Sequence, residues 1–393
     1  MIELILFIFF LLNTVYVFVL ALAGHFYSRI APGNEQKFNR IAVFIPSYKE
    51  DSVIVHTATE LLKVDYPESC FDVIVIADSL KPETVEQLKE TKAIVIPVLF
   101  EKSMKSRSLN FAFNAVDQNY EIAIIADADN ILARNFLTDI NSLYNQGYRI
   151  IQAQRVAKNL NTPMAVLDGL SEAINNHLFR QGANALGLSS ALIGSGMAFP
   201  FTLIKAELAN IDSAVEDKAL QVALVEKGHK ITYQKGTLVF DEKVDSPEAY
   251  KNQRRRWIAG QYDTLSRNFY KSFKLLMNGN INYFNIAVIQ NILPSRINSI
   301  IALVLLSAIF SLIYSQNPEV IARWWGITFF YFISLALATP RHYYSKKLIK
   351  ALALMPVVII KTIQAIFLSR NANKTFIHTE HKNNNIDHSY QSK

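Results

Sequence analysis

Tyr120-Glu121-Ile122-Ala123-Ile124-Ile125-Ala126-Asp127-Ala128-Asp129-Asn130 is the stretch whose reading decides the fold. A short continuous apolar run, 122–126, is what a parallel strand covered on both faces requires. The run ends in two carboxylates, Asp127 and Asp129. In open α/β sheets, ligands gather beyond the carboxyl ends of such strands. Residues i and i+2 of an extended segment point the same way. Asp127 and Asp129 can therefore converge on one hard divalent cation, Mg2+ or Mn2+, leaving coordination sites for diphosphate oxygens. An Asp-x-Asp triplet after a strand also serves as a turn or a helix cap, so the surrounding chain has to decide.

Outward from this stretch, apolar runs at 41–45, 73–77, 93–98 and 150–153 alternate with polar or amphipathic stretches near 51–63, 82–90, 106–116 and 135–144. That alternation predicts βαβ units and a parallel sheet. Right-handed crossovers place the loops after the strands on one rim. Tyr48 and Glu50 follow the first strand, where an aromatic face and an acceptor suit a nucleobase, while Ser47 and Asp51 read equally as helix caps. Asp78 ends the next strand, either as a turn residue or as an acceptor for a ribose or base. Lys105 precedes a helix, as a cation near a phosphate or as a solvated lysine.

Farther along, Gly194-Ser195-Gly196 indicates close backbone approach. Glu216-Asp217 opens a helical stretch; acids there favour the helix dipole and also offer a general base. Gln253-Arg254-Arg255-Arg256-Trp257 precedes a run of aromatics. It reads both as an interfacial helix with lipid-anchoring charges and as a grip for diphosphate oxygens, with Trp257 a flat surface for a sugar ring.

With 51% hydrophobic and 19% charged residues, the chain is too apolar for an ordinary soluble domain. Residues 1–24 contain Glu3 but no Lys or Arg and are long enough to cross a bilayer, which takes about 20 residues. Lacking the basic start of a cleaved leader, this segment reads as a retained anchor. Arg29, Lys37 and Arg40 follow it, which predicts a cytoplasmic domain and an external N-terminus in a multi-pass protein of the cell membrane.

Three more apolar spans lie at 297–314, 324–339 and 348–368, with Arg341, Lys346, Lys347 and Lys350 marking a cytoplasmic loop. Lys361 and Gln364 leave the last span to line a bundle, lie in the interface or snorkel. The expected organisation is a membrane helix at 1–24, a catalytic domain at 41–257, interfacial amphipathic helices at 258–292, membrane segments at 297–368 and a polar tail at 369–393. In that tail, His378 and His381 have ligand-like spacing and read as incidental. The net charge of +7 points to anionic lipid headgroups and not to nucleic acid, because basic residues cluster beside the apolar segments. The lone Cys70 excludes an intrachain disulfide and a cysteine-rich zinc site.

Taken in order, Pro46-Ser47-Tyr48-Lys49-Glu50, Asp78, Lys105 with Leu109-Asn110, Asp127-Ala128-Asp129, Glu216-Asp217 and Gln253-Arg254-Arg255-Arg256-Trp257 resemble the membrane-bound family 2 glycosyltransferases, to which cellulose, hyaluronan and chitin synthases belong. The resemblance implies a Rossmann-like GT-A fold with one N-terminal and about three C-terminal transmembrane or interfacial helices. It implies donor binding by Tyr48, Glu50, Asp78, Lys105 and Asp127, and a divalent cation, Mg2+ or Mn2+, on Asp127 and Asp129. Asp217 would be the general base, while Gln253, Arg256 and Trp257 would grip the diphosphate and the acceptor sugar. Two departures stand out: Ala77 replaces the first of two aspartates often found after the second strand, and Val215 replaces the usual threonine before Glu-Asp.

The implied activity is inverting, metal-dependent transfer from a nucleotide sugar, expected to be a UDP-sugar, to a growing β-linked glycan. The alternatives are a glycolipid synthase adding one sugar to a lipid acceptor and a non-catalytic nucleotide-sugar-binding membrane subunit.

Overall fold

The computed structural model describes residues 1–33, 37–213, 215–369 and Ile386. Apart from Ser369 and Ile386, the tail with His378 and His381 lies outside the described residues.

Eight strands form one sheet: β1 (Ile41–Tyr48), β2 (Phe71–Asp78), β3 (Ile94–Val98), β4 (Ile122–Ile125), β5 (Ile131–Leu132), β6 (Ile150–Ala157), β7 (Met197–Pro200) and β8 (Ile231–Asp241). Their order is β3-β2-β1-β4-β7-β6-β8-β5. The expected parallel sheet holds for β1 with β2 and β4, for β2 with β3, and for β6 with β8. It fails in the middle. β7 enters antiparallel between β4 and β6, opposing Ile125 with Met197 and Ile122 with Pro200. β5 is also antiparallel to β8, so the sheet is mixed.

Gly196 makes the entry of β7 possible. Its φ is +61°, and a Cβ there would lie 2.6 Å from Val239 Cγ2. Only glycine accepts both conditions at low cost.

Alternation along the strands builds two cores. Ile41, Val43 and Ile45 of β1 face helices Ile54–Leu61 and Phe136–Asn145, whereas Ala42 and Phe44 face Leu109, Phe113 and Phe201 from the opposite layer. The result is a sheet covered by helices on both sides. The strand run 122–126 is buried throughout, as a central strand must be.

Helices Ile2–Gly24, Arg296–Ile313 and Pro318–Ala338 are each long and apolar enough to cross a membrane. Helices Lys346–Leu352 and Met355–Leu368 make a fourth span only as a pair bent by 51°. Lys361 of that pair bonds Glu248 at 2.8 Å, which ties the last helix to Pro247–Met277 and accounts for a lysine in an apolar segment. The stretch expected to form interfacial amphipathic helices, 258–292, begins within this helix, which runs unbroken from Pro247 to Met277. Glu3, the one charge in the first helix, accepts from Trp324 Nε1 at 2.5 Å and pairs with Arg323.

The sheet and its helices meet the first helix across a π-helical turn, Asn176–Gly182. The approach is close: a Cβ on Gly182 would lie 2.2 Å from the Leu20 carbonyl oxygen, and one on Gly24 would meet His177 Nε2 at 2.5 Å. His177 Nε2 also lies 2.8 Å from the Ala21 carbonyl oxygen.

Gly182→Ala is therefore expected to cost about 1–3 kcal/mol, because the obstacle is backbone and cannot rotate away. Gly326→Ala, where a Cβ would meet nothing within 4 Å, is expected to leave stability unchanged or slightly higher. Thermal unfolding of the two variants in detergent measures the difference.

Candidate active site

The rim beyond the carboxyl ends of β1, β2 and β4 is where the sequence-predicted residues gather. β1 and β2 end in register, Tyr48 opposite Asp78. Each is followed by a residue in the left-handed region, Lys49 at φ 57° and Ser79 at φ 56°. Non-glycine residues adopt this region at a cost and are often found where a side chain must be aimed. The Lys49 amide donates to the Asp78 carbonyl at 3.1 Å, locking the two strand ends together.

Asp78 is buried. Its Oδ1 accepts from Ser79 Oγ at 3.0 Å and Ser103 Oγ at 3.1 Å, whereas its Oδ2 has no hydrogen-bond partner among the described residues. A buried carboxylate oxygen left without a donor is costly, and a ligand hydroxyl or amide would satisfy it. Glu50 is buried beside the rim, and Tyr48 is half-buried with the Lys49 ammonium 5.1 Å above its ring. Asp51 does not cap the helix after it; it accepts from the Lys81 amide and Thr84 Oγ1, fastening the start of helix Pro82–Lys89.

One strand over, the chain leaves β4 at Ile125 and turns, with the Asn130 amide donating to the Asp127 carbonyl at 3.0 Å. The i and i+2 argument for an extended segment does not apply to this turn. Asp127 keeps a part-exposed carboxylate. Asp129 is buried, and its carboxylate accepts from the Glu242 amide at 2.8 Å and Asn130 Nδ2 at 3.3 Å. Among the described residues, no three His, Cys, Asp or Glu side chains are grouped to hold a metal on their own. Asp127 suits a hard cation whose other ligands come from a diphosphate.

Lys105 occupies the centre. Its ammonium donates to Asp127 Oδ1 at 2.5 Å and to the Gly194 carbonyl at 2.7 Å, and lies 3.3 Å from Glu216 Oε1. Burial alone would lower its pKa, but Asp127, Glu216 and Asp217 outweigh burial and hold it above the ordinary lysine value. Burial raises the Glu216 carboxyl, with Lys105 pulling against that and Asp217 and Asp127 adding to it. Gly194, at φ +84°, sits where a Cβ would be 3.5 Å from Asp217 Oδ2 and 3.7 Å from Lys105 Nζ. The glycine loop approaches Lys105 through the Gly194 carbonyl and Val239 at Gly196.

Helix Glu216–Glu226 presents Asp217 at its first turn, where Asp217 Oδ1 accepts from the Lys218 amide at 2.7 Å. Lys218, bonded to Asn291, is lowered to about 8 by burial, with Asp217 opposing the shift. Gln253, Arg256 and Trp257 lie two turns or less before Gly260 on helix Pro247–Met277, and a Cβ on Gly260 would touch Val215 Cγ2 at 3.0 Å. The helix therefore packs directly on the residue preceding Glu216-Asp217. Gln253 Oε1 has no hydrogen-bond partner among the described residues. One face of Trp257 is covered by Arg254, whose guanidinium carbon is 4.2 Å from the ring centroid and which also pairs with Asp168 at 3.0 Å.

A buried charge network lies behind the site, and the motifs did not reveal it. Glu172 binds Arg155 at 2.8 Å and Arg180 at 3.1 Å, and Asp241 binds Lys243 at 2.6 Å and Asn130 Nδ2 at 3.1 Å. Asn130 in turn accepts from the Asp127 amide at 3.2 Å, so the network fixes the turn that carries the two aspartates. Burial alone would raise the Glu172 carboxyl, but Arg155, Arg180 and Lys243 hold it well below the usual range. The available sequence signal was Arg155, a charge two residues beyond an apolar strand run.

Residues 39–260 match the family model described as Glycosyltransferase like family 2. Over 260 residues the chain is 24% identical to the Probable glycosyltransferase YdaM of Bacillus subtilis (strain 168), covering 62% of this chain and 60% of that protein. Among solved structures, the mannosyltransferase PcManGT from Pyrobaculum calidifontis, in complex with GDP-Man and Mn2+, aligns at TM-score 0.53 and 15% identity, covering 86% of this chain and 97% of that one. S. aureus TarS 1-349 in complex with UDP-GlcNAc aligns at TM-score 0.41 and 15% identity, covering 85% and 90%. The likeness to PcManGT shows the fold, a mixed sheet of the GT-A kind.

Glu172→Ala leaves three buried cations short of a partner and is expected to cost about 3–5 kcal/mol in thermal or denaturant unfolding. Because the native Glu172 value lies below the ordinary 4.5, its contribution is complete above that pH and is lost as pH falls through the native value. Wild type and variant should accordingly converge in stability on acidification.

Proposed function

The chain belongs to glycosyltransferase family 2, and from that premise we propose that it transfers a sugar from a nucleotide-sugar donor, with inversion, to an acceptor presented at the cytoplasmic face of the membrane. The observation that carries this reading is the convergence of Lys105, Asp127, Gly194, Glu216 and Asp217 within one cluster on the strand rim.

Asp78 and Glu50, with Tyr48, form the nucleoside side of the cleft, where Asp78 Oδ2 accepts from the ribose or base. Asp127 holds a divalent cation, Mg2+ or Mn2+, while Asp129 keeps the turn in shape through Glu242. When bound, that cation supplies charge neutralisation for the departing nucleoside diphosphate. Arg256 adds cationic stabilisation from the helix packed on Val215, and Gln253 offers its side-chain oxygen to the acceptor. Asp217, at the helix start beside Gly194, takes the proton from the acceptor hydroxyl as that oxygen attacks the anomeric carbon. An α-linked donor gives a β-linked product.

The growing-glycan acceptor rests on the motif resemblance alone. One observation favours the second reading, a lipid-borne acceptor receiving a single sugar. The three long apolar helices close on Leu303, Phe310, Trp324 and Tyr331, all buried, so side chains fill the space between them. Arg29, Lys37 and Arg40 after the first helix, and Arg341, Lys346, Lys347 and Lys350 before the last, support the cytoplasmic placement.

Asp217→Asn is expected to lower transfer by about 10²–10⁴-fold while donor binding persists. Product analysis in the same reaction separates the acceptor classes: a single lipid-linked sugar favours the second reading and a ladder of lengths the first. An α-linked product, or near-normal turnover by Asp217→Asn, contradicts the proposed chemistry.

A further inference from the structure

Lys105 has more acceptors than a donor-binding lysine needs. An ammonium has three N–H donors and no acceptor. Here it bonds Asp127 at 2.5 Å and the Gly194 carbonyl at 2.7 Å, with the Glu216 carboxylate 3.3 Å away. The carboxylate it holds most closely is the one that faces the cleft, since Asp129 is buried and accepts from the Glu242 amide and Asn130. Mg2+ sits about 2.0–2.1 Å from its oxygen ligands. On Asp127 Oδ1 it would stand close against the ammonium, and two like charges at that separation repel strongly.

We infer that Lys105 is an exchangeable internal counter-ion: it competes with the divalent cation for Asp127, and entry of the metal–diphosphate donor moves its ammonium off Asp127. The inference rests on the metal-dependent reading above and adds a consequence to it. The same ammonium reaches Glu216, next to Asp217, so displacement by the donor changes the restraint on the residue beside the base. Residues 212 and 213, just ahead of Glu216, remain tied to helix Lys105–Ala115, of which Lys105 is the first residue, because Arg107 grips Asp212 through two bonds of 3.0 Å and Ser106 Oγ donates to the Ser213 carbonyl at 3.4 Å. Lys105 is thus a positioning residue that links donor entry to the acceptor side, and metal alone is a poor ligand.

The test is Mn2+ binding by the full-length protein in detergent micelles, read from the EPR signal of the free aquo ion, with Mn2+ alone and then with UDP, GDP or dTDP. Wild type is expected to bind Mn2+ alone weakly and to bind it more tightly with one of the nucleotides. Lys105→Met should bind Mn2+ alone about tenfold more tightly, from loss of the competing charge. Lys105→Arg, which keeps the charge, should resemble wild type and controls for folding. Adding Asp127→Asn to Lys105→Met should remove the gain. Equal Mn2+ affinity in wild type and Lys105→Met overturns the exchange; if both bind Mn2+, the metal-dependent reading still stands. If neither binds Mn2+ even with a nucleotide, both readings fall.

Discussion

The ammonium of Lys105, shared between the end of β4 and the start of helix Glu216–Glu226, is the contact on which the rim depends. It joins three segments that the chain separates widely: the turn at Asp127, the glycine loop at Gly194 and the helix that carries Asp217. Each end of the connection is held independently. The Asp127 turn is braced through Asn130, and the Asp217 loop is braced by Arg107 and Ser106 from the same helix as Lys105. Without that cation, Asp127, Glu216 and Asp217 would face one another with less positive charge to offset them.

Beneath the rim, the protein places charge where a hydrophobic core would be less costly. Arg155, Glu172, Arg180, Asp241 and Lys243 are largely withdrawn from water and bonded to one another. Such networks are weak sources of stability, but removing one member is expensive. Their value here is geometric. Helix Pro163–Asn175 carries Asp168, Ser171 and Glu172, and through them it fixes Arg254 of the Gln-x-x-Arg-Trp helix, Arg296 at the head of a membrane span, and the strand behind Asp127. The catalytic layers and the apolar helices are thereby held in one frame.

Much of this was legible in the sequence because it is local. Strand runs such as 122–126, the apolar spans, and the order of Tyr48, Asp78, Lys105, Asp127 and Asp217 along one rim depend on short-range pattern and crossover handedness. What escaped depends on long-range pairing or on side-chain and turn geometry that a pattern of residue types does not carry. β7 inserts antiparallel because Gly196 admits Val239 from a strand about forty residues away, which no window around 197–200 reveals. Lys361 leaves its span to line a bundle, lie in the interface or snorkel when read alone, and its partner Glu248 is 113 residues away in sequence. Asp127 stays part-exposed while Asp129 is buried, and the backbone turns at the strand end, where the period-2 rule no longer holds. Trp257 offers the flat ring that its residue type implies, but Arg254, three residues earlier on the helix, covers one side of it.

The most direct test of the central claim is consumption of donor. Purified protein in detergent with membrane lipids would be given UDP-, GDP- and dTDP-sugars in turn, and release of nucleoside diphosphate would be followed before and after chelation of divalent metal. The account expects one donor class to be turned over, the reaction to stop on chelation and Mn2+ or Mg2+ to restore it. Turnover indifferent to chelation would contradict the role given to Asp127, and inertness toward every donor that binds would contradict transfer itself.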